Sequence, residues 1–408
     1  MKAILPKIKF KNFYEKWNRK KLQSIAPLRG GFAFKSEKFQ NVGIPIVRIS
    51  NIGFDGTVGG EFEYYSKLSP DEKFVLKGRS LLLAMSGATT GKIAMLDSEE
   101  EYYQNQRVGY FQNNGAVDYD FLSSVLQTKA FTNQLNAVLV AGAQPNISSK
   151  EIDSFEFCIP ESIEEQSAIG SLFRTLDDLL ASYKDNLANY QSHKANMLSK
   201  MFPKAGQTVP EIRLDGFEGE WKKSKLKDVA HRVQGNDGRM DLPTLTISAS
   251  GGWMNQIDRF SANIAGKEQK NYTLLKKGEL SYNHGNSKLA KYGVVFELQD
   301  YEEALVPKVY HSFRVNQLAN AKFIEIMFST KIPDRELGKL VSSGARMDGL
   351  LNISFEDFMN IAIIIPTIEE QQAIGTYFSN LDNLITAHQE KISQLEILKK
   401  KLLQDMFI

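Results

Sequence analysis

Residues 163–170 read Ile-Glu-Glu-Gln-Ser-Ala-Ile-Gly, and residues 368–375 read Ile-Glu-Glu-Gln-Gln-Ala-Ile-Gly. These stretches open a longer repeat, in which residues 163–202 align without a gap on residues 368–407 and 15 of the 40 pairs are identical. Chance gives about 2 or 3 identities at average composition. The chain therefore carries two similar segments, 205 positions apart, separated by unlike sequence.

The repeated segment has the periodicity of a long amphipathic helix, because its apolar residues recur at steps of three and four positions in both copies. A helix from about residue 164 to 201 would be about 57 Å long, too long to be buried along its whole length in one small domain. We therefore expect the two copies to pack on each other as an antiparallel coiled coil. The residues expected in this packing are Leu172, Phe173, Leu176, Leu180, Leu187, Tyr377, Phe378, Leu381, Ile385 and Ile392.

The similarity reaches beyond the helices. Six residues between positions 8 and 26 recur 204 positions later, and Asn146-Ile147-Ser148 recurs as Asn352-Ile353-Ser354. A short apolar run then leads to Pro160 in one half and to Pro366 in the other. Each half thus consists of an opening segment, a variable block, a proline and a long helix.

Composition sets broad limits. A chain of 408 residues with 42% hydrophobic residues should form at least two domains. No apolar run approaches the roughly 18 to 20 residues of a membrane span, and the first residues lack the apolar core of a signal peptide, so we expect a cytoplasmic protein without a membrane segment. The single cysteine, Cys158, cannot form an internal disulfide, and its apolar neighbours indicate core packing.

Charge and histidine spacing limit the chemistry. The formal net charge is only +2, but Lys and Arg cluster locally, so a basic face remains possible on a near-neutral protein. The two glutamates at each helix start favour the positive end of the helix dipole, which is sufficient reason for them without a catalytic role. The five histidines lack metal-ligand spacing, and we interpret His388, aligned with Tyr183, as a packing residue.

The variable blocks contain short β-rich runs between Gly, Asn and Ser clusters, which is typical of mixed α/β domains. These runs include residues 44–49, 81–85 and 292–296. Gly87-Ala88-Thr89-Thr90-Gly91-Lys92 is not a phosphate loop, because its glycines are one residue too close and Ile93 replaces the magnesium-binding Ser or Thr. Together with Asn283-His284-Gly285-Asn286-Ser287-Lys288, this loop could instead approach a phosphate or a base edge, although a plain β-turn also explains such a sequence.

These residues carry a resemblance to a known family. Over nearly its full length the chain resembles the specificity subunit of a type I restriction-modification enzyme, through the doubled pattern of Ile-Pro, Glu-Glu-Gln and an Ala-Ile-Gly helix. The first block is similar to family recognition domains at residues 30–36, 43–52, 86–89 and 105–108. The second block resembles another subclass at Tyr282-Asn283 and Gly285-Asn286-Ser287-Lys288, and departs from it at His284.

The resemblance implies an α+β fold of two mixed α/β target recognition domains joined by two long helices, packed as an antiparallel coiled coil with an internal pseudo-twofold repeat. It divides the chain into a first recognition domain (residues 1–157), a central helical region (158–204), a second recognition domain (205–363) and a C-terminal helical region (364–408).

The resemblance also implies the partners. One copy of the chain would bind double-stranded DNA, two modification (methyltransferase) subunits and motor-nuclease restriction subunits, with the apolar helix residues also contacting partner subunits. It would hold no cofactor itself; S-adenosylmethionine, ATP and magnesium belong on the partners. In agreement, the sequence has no Asn-Pro-Pro-aromatic or Asp-Pro-Pro-aromatic tetrad and no phosphate loop, so we expect no catalysis by this chain.

We expect loop side chains to read base edges in the major groove while Lys and Arg contact phosphates. The candidates in the first domain are Arg29, Lys35, Arg48, Thr89, Thr90, Lys92, Gln106 and Arg107. Those in the second domain are Asn283, Asn286, Ser287, Lys288 and Arg346.

Other functions stay open at this stage. A coiled-coil scaffold for proteins would show no salt-dependent binding to duplex DNA. A stand-alone DNA-binding regulator would bind its target tightly without partners. A nuclease would cleave DNA alone in the presence of a divalent metal ion.

Overall fold

The structure is a computed structural model, and the residues that it describes are 6–141, 146–260, 266–285, 287–341 and 350–407. The chain forms two compact units: the first comprises Met1–Asp185 and Gln389–Ile408, and the second comprises Asn186–His388. Each unit combines one variable block with part of both long helices. Within the described ranges no helix is long and apolar enough to cross a membrane.

The first block begins and ends with paired strands. Its strands are β1 (Asn18–Lys21), β2 (Leu28–Gly30), β3 (Ile44–Val47), β4 (Glu63–Tyr65), β5 (Val75–Ala84), β6 (Ile93–Gln104), β7 (Val108–Phe111) and β8 (Glu156–Ile159). Its helices are α1 (Leu22–Ile25), α2 (Tyr119–Val125), α3 (Lys129–Ala141) and α4 (Ser149–Asp153), and the long helix α5 (Ile163–Lys200) follows. Strand β1 pairs antiparallel with β8, which closes the block where α5 begins.

The other six strands form one sheet in the order β2-β7-β5-β6-β3-β4. Only β3 and β6 are parallel in this sheet. The core beneath it contains Leu81, Leu83 and Phe121. Cys158 is buried in this core, as the sequence predicts.

The second block has a different topology. Its strands are β9 (Lys222–Lys225), β10 (Ala230–Arg232), β11 (Leu245–Ser248), β12 (Gly252–Asn255), β13 (Thr273–Lys276), β14 (Leu280–Asn283), β15 (Val294–Glu297), β16 (Glu303–Val306), β17 (His311–Val315) and β18 (Ala362–Ile365). Its helices are α6 (Leu226–Val229), α7 (Gln256–Phe260), α8 (Ala321–Ser329), α9 (Asp334–Leu340) and α10 (Phe355–Met359), and α11 (Ile368–Asp405) follows. A four-stranded sheet has the order β10-β17-β14-β15, and β18 pairs with β9 as β8 does with β1.

One glutamine of the repeated motif fastens each long helix to its own block. Gln166 is 1% exposed, and its Oε1 accepts a hydrogen bond from the backbone N of Asp118 at 2.8 Å. Gln371 is 0% exposed and accepts a bond from the backbone N of Asn320 at 3.0 Å. Asp118 and Asn320 are the N-cap residues of α2 and α8. Each glutamine also donates to the carbonyl oxygen of the proline before its helix, so it joins three chain segments.

The neighbouring glutamates are buried and have unlike partners. Glu165 Oε1 accepts a hydrogen bond from Trp17 Nε1 at 3.2 Å, and burial raises the pKa of this carboxyl group. Glu370 instead forms a two-pronged ion pair with Arg213, with Nε–Oε1 and Nη2–Oε2 distances of 2.8 and 2.6 Å. These contacts go beyond the helix-dipole role expected from the sequence, because they fix the opening segment of each half to its long helix.

Within each unit the two long helices run antiparallel. In the first unit the contacts join Phe173 to Phe407, Asp177 to Lys399 and Lys184 to Glu396. In the second unit they join Tyr190 to His388, His193 to Tyr377 and Lys194 to Asp382. The Asp–Lys pair is therefore repeated, because Asp177 aligns with Asp382 and Lys194 aligns with Lys399.

The helix bounds agree within one residue with the expected span of about 164 to 201. The three β-rich runs contribute to β3, β5 and β15, as predicted. The expected boundaries at 157/158 and 363/364 fall inside β8 and β18, because these strands pair with the opening strands of their blocks. Each block therefore includes its whole closing strand.

Candidate nucleic-acid interface

Four separate segments of the first block meet around residues 105–107. The backbone N of Phe32 donates to Gln104 O at 2.8 Å, and the N of Asn105 donates to Val47 O at 3.1 Å. A third bond joins the backbone N of Met85 to Arg107 O at 2.9 Å. We call the segments 29–35, 47–48, 85–92 and 105–107 the recognition cluster. All eight candidates of the first block lie in it.

A glycine allows two of these segments to touch. A Cβ atom at Gly31 would lie 2.2 Å from the carbonyl oxygen of Asn105 and 2.4 Å from that of Gln104. No side chain fits there without moving backbone. At the preceding Gly30, by contrast, a Cβ atom would meet nothing within 4 Å. Gly31 is therefore required for the cluster, and Gly30 is not.

Arg29 is directed into the block. Its Nε and one Nη lie 3.1 and 3.0 Å from Gln104 Oε1, and that Nη also donates to Val75 O at 3.0 Å. Its guanidinium lies 4.7 Å from the centre of the Tyr110 ring, and burial lowers its pKa. Gln104 is fully buried and donates in turn to Val108 O at 2.7 Å. Arg29 and Gln104 thus stabilise the backbone of the recognition cluster from its buried side. Gln104 was not predicted from the sequence, although it lies next to the family-like stretch at residues 105–108.

Arg48, Thr89, Thr90 and Lys92 are half-buried. Arg48 Nη1 lies 3.4 Å from Glu63 Oε1, while its Nε is buried and has no hydrogen-bond partner among the described residues. Residues Gly87–Thr89 form a 3-10 turn, and the Thr90 hydroxyl donates to Gly87 O at 2.7 Å. The Thr89 hydroxyl is also buried and finds no partner in the described part of the chain. Lys92 Nζ lies 2.7 Å from the centre of the Phe54 ring.

Lys35, Gln106 and Arg107 are exposed. The turn that carries Gln106 and Arg107 is fixed by Asn105, whose Oδ1 accepts a hydrogen bond from the backbone N of Arg107 at 3.2 Å. The N of Gln106 donates to Phe32 O at 2.9 Å. The backbone is therefore held while the side chains of Gln106 and Arg107 face solvent, which suits a group that must meet a ligand in a fixed position.

In the second block the corresponding loop follows β14. The Asn283 amide is engaged internally: Nδ2 donates to Ile247 O at 3.2 Å, and Oδ1 accepts from the backbone N of Gly285 at 3.1 Å. The Ser287 hydroxyl accepts from the backbone N of Ala290 at 3.1 Å, and Lys288 is exposed. The candidates Asn286 and Arg346 lie outside the described residues.

His284 points away from solvent and is 5% exposed. Its Nδ1 lies 2.7 Å from Leu351 O and its Nε2 lies 2.8 Å from Val309 O. Its ring stacks on His311 with centroids 4.7 Å apart, and burial lowers the pKa of His311 to about 4. The pair anchors the base of the loop that carries Lys288. The only indication in the sequence that His284 has a different role is its departure from the family pattern at this position.

Most of the expected helix-packing residues belong to cores that combine a block with both helices. In the first unit these are Leu172, Phe173, Leu176, Leu180 and Ile392. In the second unit they are Tyr377, Phe378 and Leu381. Leu187 and Ile385 are half-buried. Phe173 and Phe378 are 1% and 0% exposed, so neither side chain is accessible for the expected contact with a partner subunit. His388 packs on Tyr190 with centroids 5.1 Å apart.

Across the described ranges no group of three or more His, Cys, Asp and Glu side chains is placed to hold a metal ion. The chemical character of the recognition cluster is instead that of exposed amide, guanidinium and ammonium groups on a fixed backbone. These groups donate hydrogen bonds to phosphate oxygens and to the acceptor edges of bases.

Comparisons with known proteins found similarity to one protein family. The family model described as "Type I restriction modification DNA specificity domain" matches residues 14–189 and 218–397. Each match covers most of one variable block and most of its long helix.

Two curated relatives are similar to part of the chain. The type I restriction enzyme MjaVIII specificity subunit of Methanocaldococcus jannaschii is 29% identical over 175 residues, which cover 41% of this chain and 40% of the relative. The type I restriction enzyme EcoAI specificity subunit of Escherichia coli is 29% identical over 175 residues, covering 40% of this chain and 30% of the relative. The chain thus spans less than half the length of these relatives.

One solved structure is similar over its full length. The crystal structure of the type I restriction-modification system S subunit from M. genitalium covers 99% of this chain and 99% of its own, with a TM-score of 0.59 and 15% sequence identity. At this identity the likeness shows a shared fold.

Proposed function

Because the chain belongs to the family of type I restriction modification DNA specificity domains, we propose that it is the DNA sequence-specificity subunit of a type I restriction-modification complex. Its two unlike blocks would each read one half of a bipartite, asymmetric duplex target. The observation that carries this proposal is the convergence of four loop segments into the recognition cluster, where exposed donors stand on a fixed backbone.

The roles of the candidates differ with their exposure. Gln106 and Arg107 are suited to base edges, because an amide pairs with adenine and a guanidinium pairs with guanine through two hydrogen bonds in the major groove. Lys35 and Lys288 are exposed point charges suited to phosphates. Arg29 and Asn283 form hydrogen bonds within their own blocks, so their role would be to position the neighbouring loop residues.

The long helices would act as the spacer between the two readers. The repeated Asp177–Lys399 and Asp382–Lys194 pairs, one in each unit, support an antiparallel coiled coil with an internal pseudo-twofold repeat. If both half-sites are read from one side of the duplex, their centres lie about 10 base pairs apart. The exposed faces of these helices would bind two modification subunits, with motor-nuclease subunits joining the complex.

The chemistry belongs to the partners in this proposal. The modification subunits hold S-adenosylmethionine and methylate adenine, and ATP and magnesium serve the motor-nuclease subunits. The chain itself acts as one non-catalytic copy that selects the DNA sequence.

Methylome sequencing tests the proposal directly. A host that expresses the modification partner is compared with and without this chain. The expected result is one new bipartite, asymmetric motif with adenine methylation on both strands. Expression of the chain is verified by immunoblot, so that an unchanged methylome would contradict the proposal. Tight, sequence-specific duplex binding by the purified chain without any partner would favour a stand-alone regulator instead.

A further inference from the structure

One aromatic side chain in the recognition cluster is exposed although its backbone is fixed on both sides. Phe32 is 42% exposed. Its backbone N donates to Gln104 O at 2.8 Å, and its O accepts from the N of Gln106 at 2.9 Å. Phe32 thus pairs with the strand segment that leads directly to Gln106 and Arg107, the exposed polar candidates of this block.

The inner side of the Phe32 ring rests on other aromatic rings. It stacks on Phe74 with centroids 4.7 Å apart and meets Phe34 edge-on at 5.0 Å. Phe34 in turn stacks on the fully buried Tyr103 at 5.3 Å. A ring supported in this way has little rotamer freedom left to lose on binding, so its exposed part is a pre-organised apolar surface.

Among the described side chains of the second block, the aromatic cluster around Tyr282 has no such exposed member. Tyr282 stacks on Phe358 at 4.4 Å, and both are fully buried. His284, which follows the same strand, is 5% exposed. The exposed ring of Phe32 is therefore a feature of the first reader, and aromatic packing in the second block does not require one.

We propose that Phe32 is a specificity-determining residue that packs against the 5-methyl group of a thymine in the first half-site. The inference rests on the proposed function. Thymine is the only base that presents a methyl group in the major groove, and phenylalanine is among the side chains that contact it. Gln106 and Arg107 beside it supply the hydrogen bonds for neighbouring bases. The ring would recognise one further base pair through its methyl group.

The test removes the methyl group and the ring separately. Each thymine of the first half-site, on either strand, is replaced in turn by uracil, which lacks only the 5-methyl group. Binding is measured for the full chain in complex with its modification subunits. At one position, uracil should weaken binding by the wild-type chain about four-fold, the value of one buried methyl group. With Phe32→Ala the same substitution should have no further effect.

Two variants serve as controls. Phe32→Leu keeps an apolar contact and should retain most of the thymine preference. Tyr14→Ala removes an aromatic side chain that is 78% exposed and lies outside the recognition cluster. It should leave the four-fold uracil effect intact.

Several outcomes would overturn the inference. These are a first half-site without thymine, equal uracil effects in the wild-type and Phe32→Ala chains, and loss of the uracil effect in the Tyr14→Ala chain. A Phe32→Ala chain that fails to fold is recognised by loss of its cooperative thermal unfolding transition. Phe32→Gln, which removes the apolar contact but keeps side-chain bulk, then replaces it and should likewise abolish the uracil effect. If the wild-type chain directs no methylation motif at all, the proposed function fails rather than the role of Phe32.

Discussion

At the scale of single residues, Gly31 decides whether the recognition cluster can form. We predict that Gly31→Ala destabilises the first unit by about 1–3 kcal/mol, the usual cost of overpacking, because its Cβ would lie 2.2 Å from Asn105 O. The melting temperature and binding to the first half-site should both fall. Gly30→Ala is the matched control, since its Cβ meets nothing within 4 Å. Equal losses in both variants would mean that the close approach is not the cause.

His311 gives the second unit a pH dependence. Burial lowers its pKa to about 4, below the value of 6.5 of an unperturbed histidine. As pH falls, the unfolded chain therefore takes up the proton first. The stabilisation is complete above about pH 6.5 and is lost between there and about pH 4, up to about 3 kcal/mol. Amide protection factors in β17, which correct for the slower intrinsic exchange at low pH, should fall as the pH decreases over this range.

The histidine prediction has a matched pair of controls. His311→Gln keeps a donor for Ile353 O, which lies 2.9 Å from His311 Nε2, but does not titrate. It should flatten the pH dependence in β17. His231→Gln changes an exposed histidine in β10 and should leave that dependence unchanged. If the wild-type and His311→Gln profiles are parallel, another group carries the effect.

The sequence predicted which segments come together better than which side chains face outward. Lys35, Gln106 and Arg107 are exposed, but Arg29 turns inward to Gln104, a partner 75 positions away. Such a partner is set by strand pairing, which no local pattern in the first block reports. The inward direction of His284 likewise depends on carbonyl groups of Leu351 and Val309.

At the scale of elements, the long helices were predictable because a period of three and four residues over 38 residues is a strong local signal. The individual strand runs were also readable. The sheet orders were not, because β2-β7-β5-β6-β3-β4 joins segments far apart in the sequence. The shared order of opening segment, block and helix does not reveal that the two blocks have different sheets.

The repeated Asp–Lys pairs should hold the antiparallel helices together within each unit. We predict that Asp177→Lys, which places two lysines together, destabilises the first unit by about 1 kcal/mol or more. Adding Lys399→Asp should recover part of this loss. Recovery should be incomplete, because Lys399 also donates to Gln127 Oε1 at 2.6 Å. Urea unfolding of the single and double variants measures the coupling.

The other cross-helix pair of the first unit is the control. Lys184 and Glu396 lie 2.8 Å apart, but each is 52% exposed, whereas Lys399 is 17% exposed. Water screens the more exposed pair, so Lys184→Glu should cost less than Asp177→Lys. An equal or larger cost at Lys184 would argue against a special role for the repeated pair.

At the scale of the whole molecule, the repeat joins two blocks of unlike topology to similar long helices. Each unit takes its helical support from both copies of the repeat, since Leu176 and Leu395 share one core and Met201 and Phe378 share the other. A change in one block should therefore leave the other intact.

We predict that Arg107→Ala relaxes one base of the first half-site and leaves the second half-site unchanged in methylome sequencing. The control Arg19→Ala, an exposed arginine paired with Glu156, should preserve the whole motif. Relaxation in both half-sites would contradict separate readers.

Lys288 should behave differently, because an ammonium group on a phosphate carries no sequence information. We predict that Lys288→Ala weakens binding to all duplexes alike, reduces the salt slope of log K by about 1, and leaves the methylation motif unchanged. Binding of the assembled complex is measured at several salt concentrations on target and non-target duplexes. Lys223→Ala removes an exposed lysine of β9 and should alter neither the slope nor the affinity. If Lys288→Ala instead changes one base of the second half-site, the lysine reads that base, and the phosphate contact must be assigned to another residue.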